Sequence, residues 1–458
     1  MTDASRAALR RTELTTTGSL AAIFALRMFG LFMLLPVFAV YGAELDGATP
    51  LLIGTAIGAY GLMQALLQIP FGMLSDRFGR RPLLLIGLLL FVIGGAVAAL
   101  SDSIHGVILG RALQGAGAIA SVIMALIGDV VSEQRRTRAM ALIGMAVGSS
   151  FILALILGPL LARWLGLSGL FWFTVVLGLA AMLVAVWVPS PRVRSSEPLP
   201  AAQRFRTVLG DPVLRRLDVG ILVLHMTMTA SFVVLPQLLK QRLGLSLEQH
   251  SLLYLVVLVG GFLAMVPLII AAERRGAMPI KRVAVGLLIV AEILLALAGN
   301  TLWHFVLALF VYFMAFNLLE ALLPSLVGRA APAGTRGTAM GVYSTSQFLG
   351  VFIGGQLGGA LYQWVGAEAV FMGSAVIAVG WLLYLRGMGE LPKLDNRVIR
   401  LASAQDWDQA ASRLRSVPGV LEAVVVAEQR LALLKVDNKL LDEDALTALS
   451  AEVQEPRA

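Results

Sequence analysis

Twelve stretches of apolar residues run through the chain, separated by polar joints that are short in all but one case. A helix needs about 20 such residues to cross the hydrocarbon core of a bilayer. Each stretch is therefore expected as a membrane span: 17–41, 50–74, 82–101, 104–130, 138–162 and 168–188, then 216–240, 250–272, 279–299, 302–327, 337–363 and 366–387 (spans one to twelve). The long joint, 189–215, is polar, proline-bearing and basic, and reads as a linker between two six-helix bundles, 1–188 and 216–389. Beyond them, 390–458 turns amphipathic. It predicts strands at 398–402, 420–427 and 430–436 and helices at 405–416 and 442–453, with Pro418-Gly419 as a turn and Glu428-Gln429 closing a hairpin. The order βαββα is that of a ferredoxin-like fold without its last strand. So small a core is expected to lean on the membrane domain or on a second copy of itself.

Charge sets the orientation. One set of alternate joints carries Arg6, Arg10, Arg11, Arg77, Arg80, Arg81, Arg135, Arg136, Arg138, the arginines of the linker, Arg274, Arg275, Lys281, Arg282, Arg329 and Arg336. The other set carries Arg163, Lys240 and Arg242. Such bias places the arginine-rich side, both termini and the linker in the cytoplasm. The basic start followed by apolar sequence resembles a signal peptide, but the run from Gly18 to Tyr41 is too long for one and no small-residue cleavage site follows, so it is expected to stay as span one.

The halves repeat. Phe32, Leu35-Pro36, Arg136, Ala139-Met140, Gly158, Trp164, Gly166 and Phe171 recur 200 positions later as Phe232, Leu235-Pro236, Arg336, Ala339-Met340, Gly358, Trp364, Gly366 and Phe371 (236 − 36 = 200). An even number of spans per half makes the repeat parallel, as in transporters whose halves rock about a site near the midplane. Pro36 and Pro236 are expected to remove helix hydrogen bonds in spans one and seven. Gly94-Gly95, Gly354-Gly355 and Gly358-Gly359 are expected to permit close helix contact.

Composition agrees. Hydrophobic residues make up 58% and charged residues 14%, against roughly 25% charged in a soluble domain, and the mean hydropathy is +0.84. The net charge of +8 thus belongs to membrane topology and not to a nucleic-acid surface. With no Cys there are no disulfides and no thiol catalysis. The four histidines lack metal-ligand spacing, the tail has no C-x-x-C for copper, no nucleophile–base set is visible, and no G-x-x-x-x-G-K-[ST] loop appears for ATP. An enzyme, a metal site and a bound cofactor are not expected; an ion gradient is the expected energy source.

The joint after span two reads Gly72-Met-Leu74-Ser-Asp76-Arg77-Phe-Gly79-Arg80-Arg81. It reproduces G-x-L-x-D-R-x-G-R-[RK], and span four adds Arg111-x-x-Gln114-Gly115-x-Gly117. On these motifs, its twelve spans and its parallel repeat, the chain resembles the major facilitator superfamily, and its Arg-bearing span four resembles the drug–proton antiporter branch. Gly144, Gly148 and Gly158-Pro159 match that branch's span-five motif only in part. The resemblance implies an all-α polytopic fold of two parallel six-helix bundles. It also implies a conformational gate in which Asp76 faces the amino end of span eleven at Arg336-Gly337, Arg80 pairs with Asp129, and Gly72, Gly79 and Gly337 shape the backbone. Together they would shut the cytoplasmic side in the outward-open state. Arg77 and Arg81 are explained by topology alone.

Arg27, Arg111, His225, Glu292 and Glu320 fall inside spans, where each charge costs at least about 2.5 kcal/mol unless it faces a cavity or a partner. Glu320, three residues after Asn317 and on the same helix face, is the first choice for proton contact in a central cavity. His225 is a second titratable candidate, with a structural hydrogen-bonded role as the alternative. Glu292 reads as structural. Arg27 and Arg111 are candidates for holding carboxylates or backbone carbonyls, for poising a proton site, or for purely structural service. With Glu292 and Glu320 as the carboxylates well inside spans, a highly polar or polyanionic substrate is disfavoured. The expectation is a proton-coupled exporter of small amphipathic molecules in a bacterial inner membrane, a monomer with possible tail-mediated self-association, its partners being lipid, substrate and protons. The alternatives are a sugar or metabolite facilitator, and a sensor signalling through 390–458.

Overall fold

The computed structural model describes residues 3–131, 133–189, 201–390, 394–401, 407–426, 430–437 and 440–452. The side chains of Arg6, Arg10, Arg11 and Arg136, the first part of the linker, the hairpin turn at Glu428-Gln429 and the expected ends at 402, 405, 427 and 453 lie outside the described residues.

Helices occupy all twelve expected stretches. Their ends follow from local chemistry. Thr49 caps Pro50–Phe78, accepting from the Leu52 amide at 3.2 Å. Asp211 caps Pro212–Gln241 through the amides of Val213 and Leu214. Ser246 and Gln249 form a reciprocal capping box on Leu247–Arg275. Spans five and six run together as Glu133–Val186, interrupted at Gly166 (φ 65°, ψ −173°). Its repeat partner Gly366 stands between Arg336–Trp364 and Ala367–Tyr384.

Among the described residues nine helical stretches are long and apolar enough to cross a membrane. The three missing from twelve (12 − 9) have physical reasons. Spans five and six count once, span nine carries Lys281, Arg282 and Glu292, and span eleven is diluted by glycine and hydroxyl side chains.

Two spans are broken, the first where Pro36 was expected to remove helix hydrogen bonds and the second without such a signal. Span one stops at Phe32 and restarts as Leu35–Tyr41, with Pro36 in the first turn, where its missing N–H costs nothing. Span four divides into Ile104–Ala116 and Ala120–Val130. Pro236, by contrast, sits inside an unbroken helix. The linker holds a helix of its own, Ala201–Gly210.

Spans one to six pack on one another, and so do spans seven to twelve. Across the halves, span two meets span eleven and span five meets span eight. These two pairings exchange under the repeat, as a pseudo-twofold relation requires. Span eleven serves two neighbours through two glycine rows. Gly350, Gly354 and Gly358 lie against the backbone of Leu222, Met226 and Ala230 in span seven. Gly355 and Gly359 lie against that of Gly54 and Pro50-Leu51 in span two, where Gly58 and Gly61 receive Phe352 and Phe348. Backbones approach so closely only where side chains are absent. Gln356 donates to Thr55 at 2.9 Å and the Leu51 amide to Gln363 at 3.2 Å. Arg163 and Glu248 form an ion pair at the same end, joining spans five and eight. The halves are thus closed on the arginine-poor side.

In the tail, strands β1 (Asp395–Arg400), β2 (Val420–Val426) and β3 (Leu431–Val436) form an antiparallel sheet in the order β1-β3-β2. Helix Trp407–Arg415 crosses from β1 to β2, leaving β3 between them, and Glu443–Glu452 follows. A small core of its own includes Leu414, Val420, Ala432, Leu434 and Leu446. This domain touches the second half. Lys435 donates to the carbonyls of Ala330 and Ala331, each at 3.1 Å, and Glu422 accepts from the Ala333 amide at 3.0 Å. The loop so held leads directly into span eleven. The expectation that the domain leans on the membrane body is met there.

Candidate functional site

Gly79 ends span two at φ 99°, ψ 149°, a conformation that a Cβ would strain. Gly276 ends span eight at φ 101°, ψ 148°, so both halves turn this corner alike. Gly72 has no such strain, and a side chain there would make ordinary contact. A Cβ there would lie 3.4 Å from Ser121 of span four, whose hydroxyl donates to the Gln68 carbonyl at 2.7 Å. Span four is thereby drawn against span two, and Asp129 comes to face Arg80. The Arg80 Nε donates to Asp129 Oδ2 at 2.9 Å, and its Nη1 donates to Ser75 Oγ at 2.7 Å and pairs with Asp76 at 2.5 Å. Arg80 is 11% exposed and Asp129 4%, whereas Asp76 is 62% exposed.

The expected meeting of Asp76 with Arg336-Gly337 is not made in this structure. Arg80 is the ion-pair partner of Asp76 among the described residues, and Gly337 is exposed. Arg204, on the linker helix, donates instead to Thr338 in the first turn of span eleven at 3.1 Å. Burial holds the Arg204 guanidinium below its ordinary pKa, and the nearby charge of Asp76 pulls it back up.

Deeper in the second half, spans seven, ten and eleven bring together His225, Glu320 and Gln347. The Gln347 amide nitrogen lies 2.8 Å from His225 Nε2 and 3.3 Å from Glu320 Oε1, and His225 Nε2 stands 3.9 Å from Glu320 Oε2. The Glu320 side chain is 37% exposed. Asn317 is half-buried, and its amide nitrogen has no partner among the described residues. His225 packs on Phe316, which stacks on Phe151 of span five across the halves. Glu292 is fully buried and accepts from Ser231 at 3.1 and 3.3 Å.

Arg27 and Arg111 hold neither a carboxylate nor a backbone carbonyl among the described residues. Each donates to a glutamine oxygen, Arg27 to Gln64 at 2.8 Å and Arg111 to Gln114 at 3.0 Å. Their guanidinium carbons stand 5.5 and 5.1 Å from the centre of the Tyr60 ring. The burial of Tyr60 and the small residues around it explain why two cations share one ring. Gly115 of span four lies against the Tyr60 backbone, and cation–π attraction strengthens when water is excluded.

Gln347, Tyr60, Arg204 and Asp218 escaped the sequence reading. Gln347 and Tyr60 carry no charge and so do not stand out in an apolar run. Asp218, near the end of its span, is buried inside the helix of span seven, a third carboxylate beside Glu292 and Glu320. Two turns separate it from His225 on one helix face, and that spacing was the available signal. No cluster of metal-ligating side chains occurs among the described residues.

Residues 20–355 match the family model described as Major Facilitator Superfamily. The chain is 44% identical over 433 residues to the inner membrane transport protein YajR of Escherichia coli (strain K12), covering 93% of this chain and 95% of that protein. It is 26% identical over 347 residues to the multidrug resistance protein MdtH of Aeromonas salmonicida (strain A449), covering 74% of this chain and 86% of that one. Among solved structures, a D-xylose-proton symporter superposes with a TM-score of 0.64 at 18% identity, covering 82% of this chain and 98% of that one.

Proposed function

This chain belongs to the Major Facilitator Superfamily, and we propose that it is a proton-coupled exporter of small amphipathic molecules working by alternating access. A transporter of this family moves a small molecule across a membrane. The finer reading adds direction and coupling: the inner membrane of a bacterium, the arginine-rich side in the cytoplasm, and outward transport driven by inward protons. YajR is named an inner membrane protein and MdtH a multidrug resistance protein, which supports the location and the export.

The coupling rests on one observation, the Glu320–Gln347–His225 cluster. It places a partly open carboxylate on span ten in hydrogen-bonded reach of span eleven, the helix that forms the seam with the first half. A proton taken up by Glu320 removes a charge at that junction and changes what Gln347 bonds to. The gate follows the same logic. In this reading the structure, with its arginine-poor seam closed and Asp76 resting on Arg80, stands for the inward-open state. When the halves rock, Asp76 reaches the unpaired amides at the start of span eleven, where the helix dipole favours a carboxylate, while Arg80 stays on Asp129. Regulation by the tail is supported by its grip on the loop entering span eleven, and its split βαβ arrangement supports the ferredoxin-like reading.

The test begins with a screen of amphipathic compounds for thermal stabilisation of the purified chain. Stabilising compounds are then followed into inverted membrane vesicles. Acidifying the lumen should drive accumulation, and Glu320→Gln should remove the effect of the gradient while exchange of labelled for unlabelled compound persists. Uptake indifferent to the gradient would favour a metabolite facilitator.

A further inference from the structure

We propose that the Arg27–Tyr60–Arg111 cluster binds the acidic group of the transported molecule, and that this molecule is an organic anion, a carboxylate or sulfonate on an apolar body. The proposal rests on the exporter reading and sharpens its substrate class.

Arg27 is 0% exposed and Arg111 3%, and neither has an ion-pair partner among the described residues. Acceptors in the cluster are already engaged. The Gln64 oxygen takes Arg27 and the Gln114 oxygen takes Arg111, while their amide nitrogens donate onward to Gln68 at 3.2 Å and Thr174 at 3.0 Å. Among the described residues three buried donors are left without a partner: Nε and Nη1 of Arg27 and the hydroxyl of Tyr60. Buried polar atoms are nearly always paired, so each orphan asks for an explanation. Here all three can donate, and two positive charges stand beside them with no negative one. An acceptor bearing negative charge satisfies both deficits at once, and a planar carboxylate suits the guanidinium fork.

Position adds an independent argument. The Tyr60 ring packs on Phe348 of span eleven, with centroids 6.3 Å apart, and Phe348 adjoins Gln347 of the Glu320–His225 cluster. The cationic cluster of the first half is thus joined through one ring contact to span eleven, which carries Gln347 of the Glu320–His225 cluster. Phe32 meets Phe151 edge to face and Phe151 stacks on Phe316 across the halves, an apolar surface for the body of the ligand.

The experiment uses the purified full chain in detergent, with no pH gradient or membrane potential, so that it succeeds or fails independently of the vesicle assay. Calorimetric titration compares 1-naphthoate and 1-naphthalenesulfonate with the neutral isostere 1-naphthamide, with and without sodium chloride. The two anions should bind and the amide should not. Arg27→Gln and Arg111→Gln should each weaken the anions by about tenfold or more, the loss of one charge-assisted hydrogen bond. Arg27→Lys, which keeps the charge, should restore part of the affinity, and a monodisperse elution profile establishes that each variant is folded. Amide binding equal to that of the anions, no binding of either anion, or affinities unchanged in folded Arg27→Gln and Arg111→Gln would overturn the proposal. Displacement of naphthoate by equimolar chloride would overturn the organic class by assigning the site to an inorganic ion.

Discussion

Gly355→Ala is the sharpest available perturbation of the seam between the halves. A Cβ at Gly355 would run into the carbonyl of Gly54, and the next nearest atoms are also backbone. No flexible side chain is there to yield, so the helices themselves must separate. Overpacking of this kind costs about 1–3 kcal/mol. The cost falls only on the state in which span two and span eleven touch, so the equilibrium should move towards the opposite state by roughly fivefold to 150-fold. The absence of native cysteine makes the readout clean. Thr55, which accepts from Gln356 across the seam at 2.9 Å, is replaced by cysteine, and the rate of labelling by a membrane-impermeant maleimide is measured from the arginine-poor side. Adding Gly355→Ala should accelerate labelling by a factor in that range.

Gly354→Ala supplies the control, because its Cβ would strike Met226 of span seven within the same half. It should lower thermal stability and leave labelling unchanged. Equal labelling of Thr55→Cys with and without Gly355→Ala, in protein that elutes as a folded species, would refute the seam as the closed gate.

Three further outcomes are expected. Arg80→Met should lower the melting temperature strongly, because Asp129, 4% exposed, is left as an uncompensated buried charge worth about 3–5 kcal/mol; the further change Asp129→Leu should recover much of the loss, and a melting temperature unaffected by Arg80→Met would show the pair to be idle. Asp76→Asn should slow transport while shifting stability by no more than about 0.5 kcal/mol, since the side chain is 62% exposed; unchanged flux would remove Asp76 from the gate. Glu422→Ala combined with Lys435→Ala removes the bonds to Ala330, Ala331 and Ala333, so amide hydrogen exchange at the loop before span eleven should rise by about tenfold, the effect of losing roughly 1–2 kcal/mol of hydrogen bonding. Exchange that does not change would detach the tail from that loop.

The sequence revealed most where a feature has one cheap physical explanation. Long apolar runs admit only spanning helices, and the structure bears out the fold class. An aspartate beside a bilayer has no topological excuse, which drew attention to Asp76 and Asp129. The glycine pairs of span eleven were legible as close packing, but not that alternate members face different helices, since that depends on the helical phase against two neighbours. The break at Gly117–Ile119 was hidden because apolar residues flank it on both sides, whereas that at Met33-Leu34 stands beside Pro36. Gln347 was hidden for a related reason: an uncharged amide gains its meaning only from the histidine and glutamate that folding sets beside it. Arg27 and Arg111 were noticed, but their partners are glutamine oxygens and an aromatic ring, which no rule of charge pairing would nominate.

The attachment of the tail carries one last consequence. Before the chain leaves the membrane body, Glu390 accepts from the Met278 amide and Arg282 donates to the Met388 carbonyl, so the end of span twelve is pinned to the start of span nine. The far moorings, at Ala330, Ala331 and Ala333, belong to the same half. The appendage is therefore a passenger on one rocker arm. Dyes placed on it and on the opposite arm would trace each stroke of the cycle, and anything that strapped the two together would act as a brake.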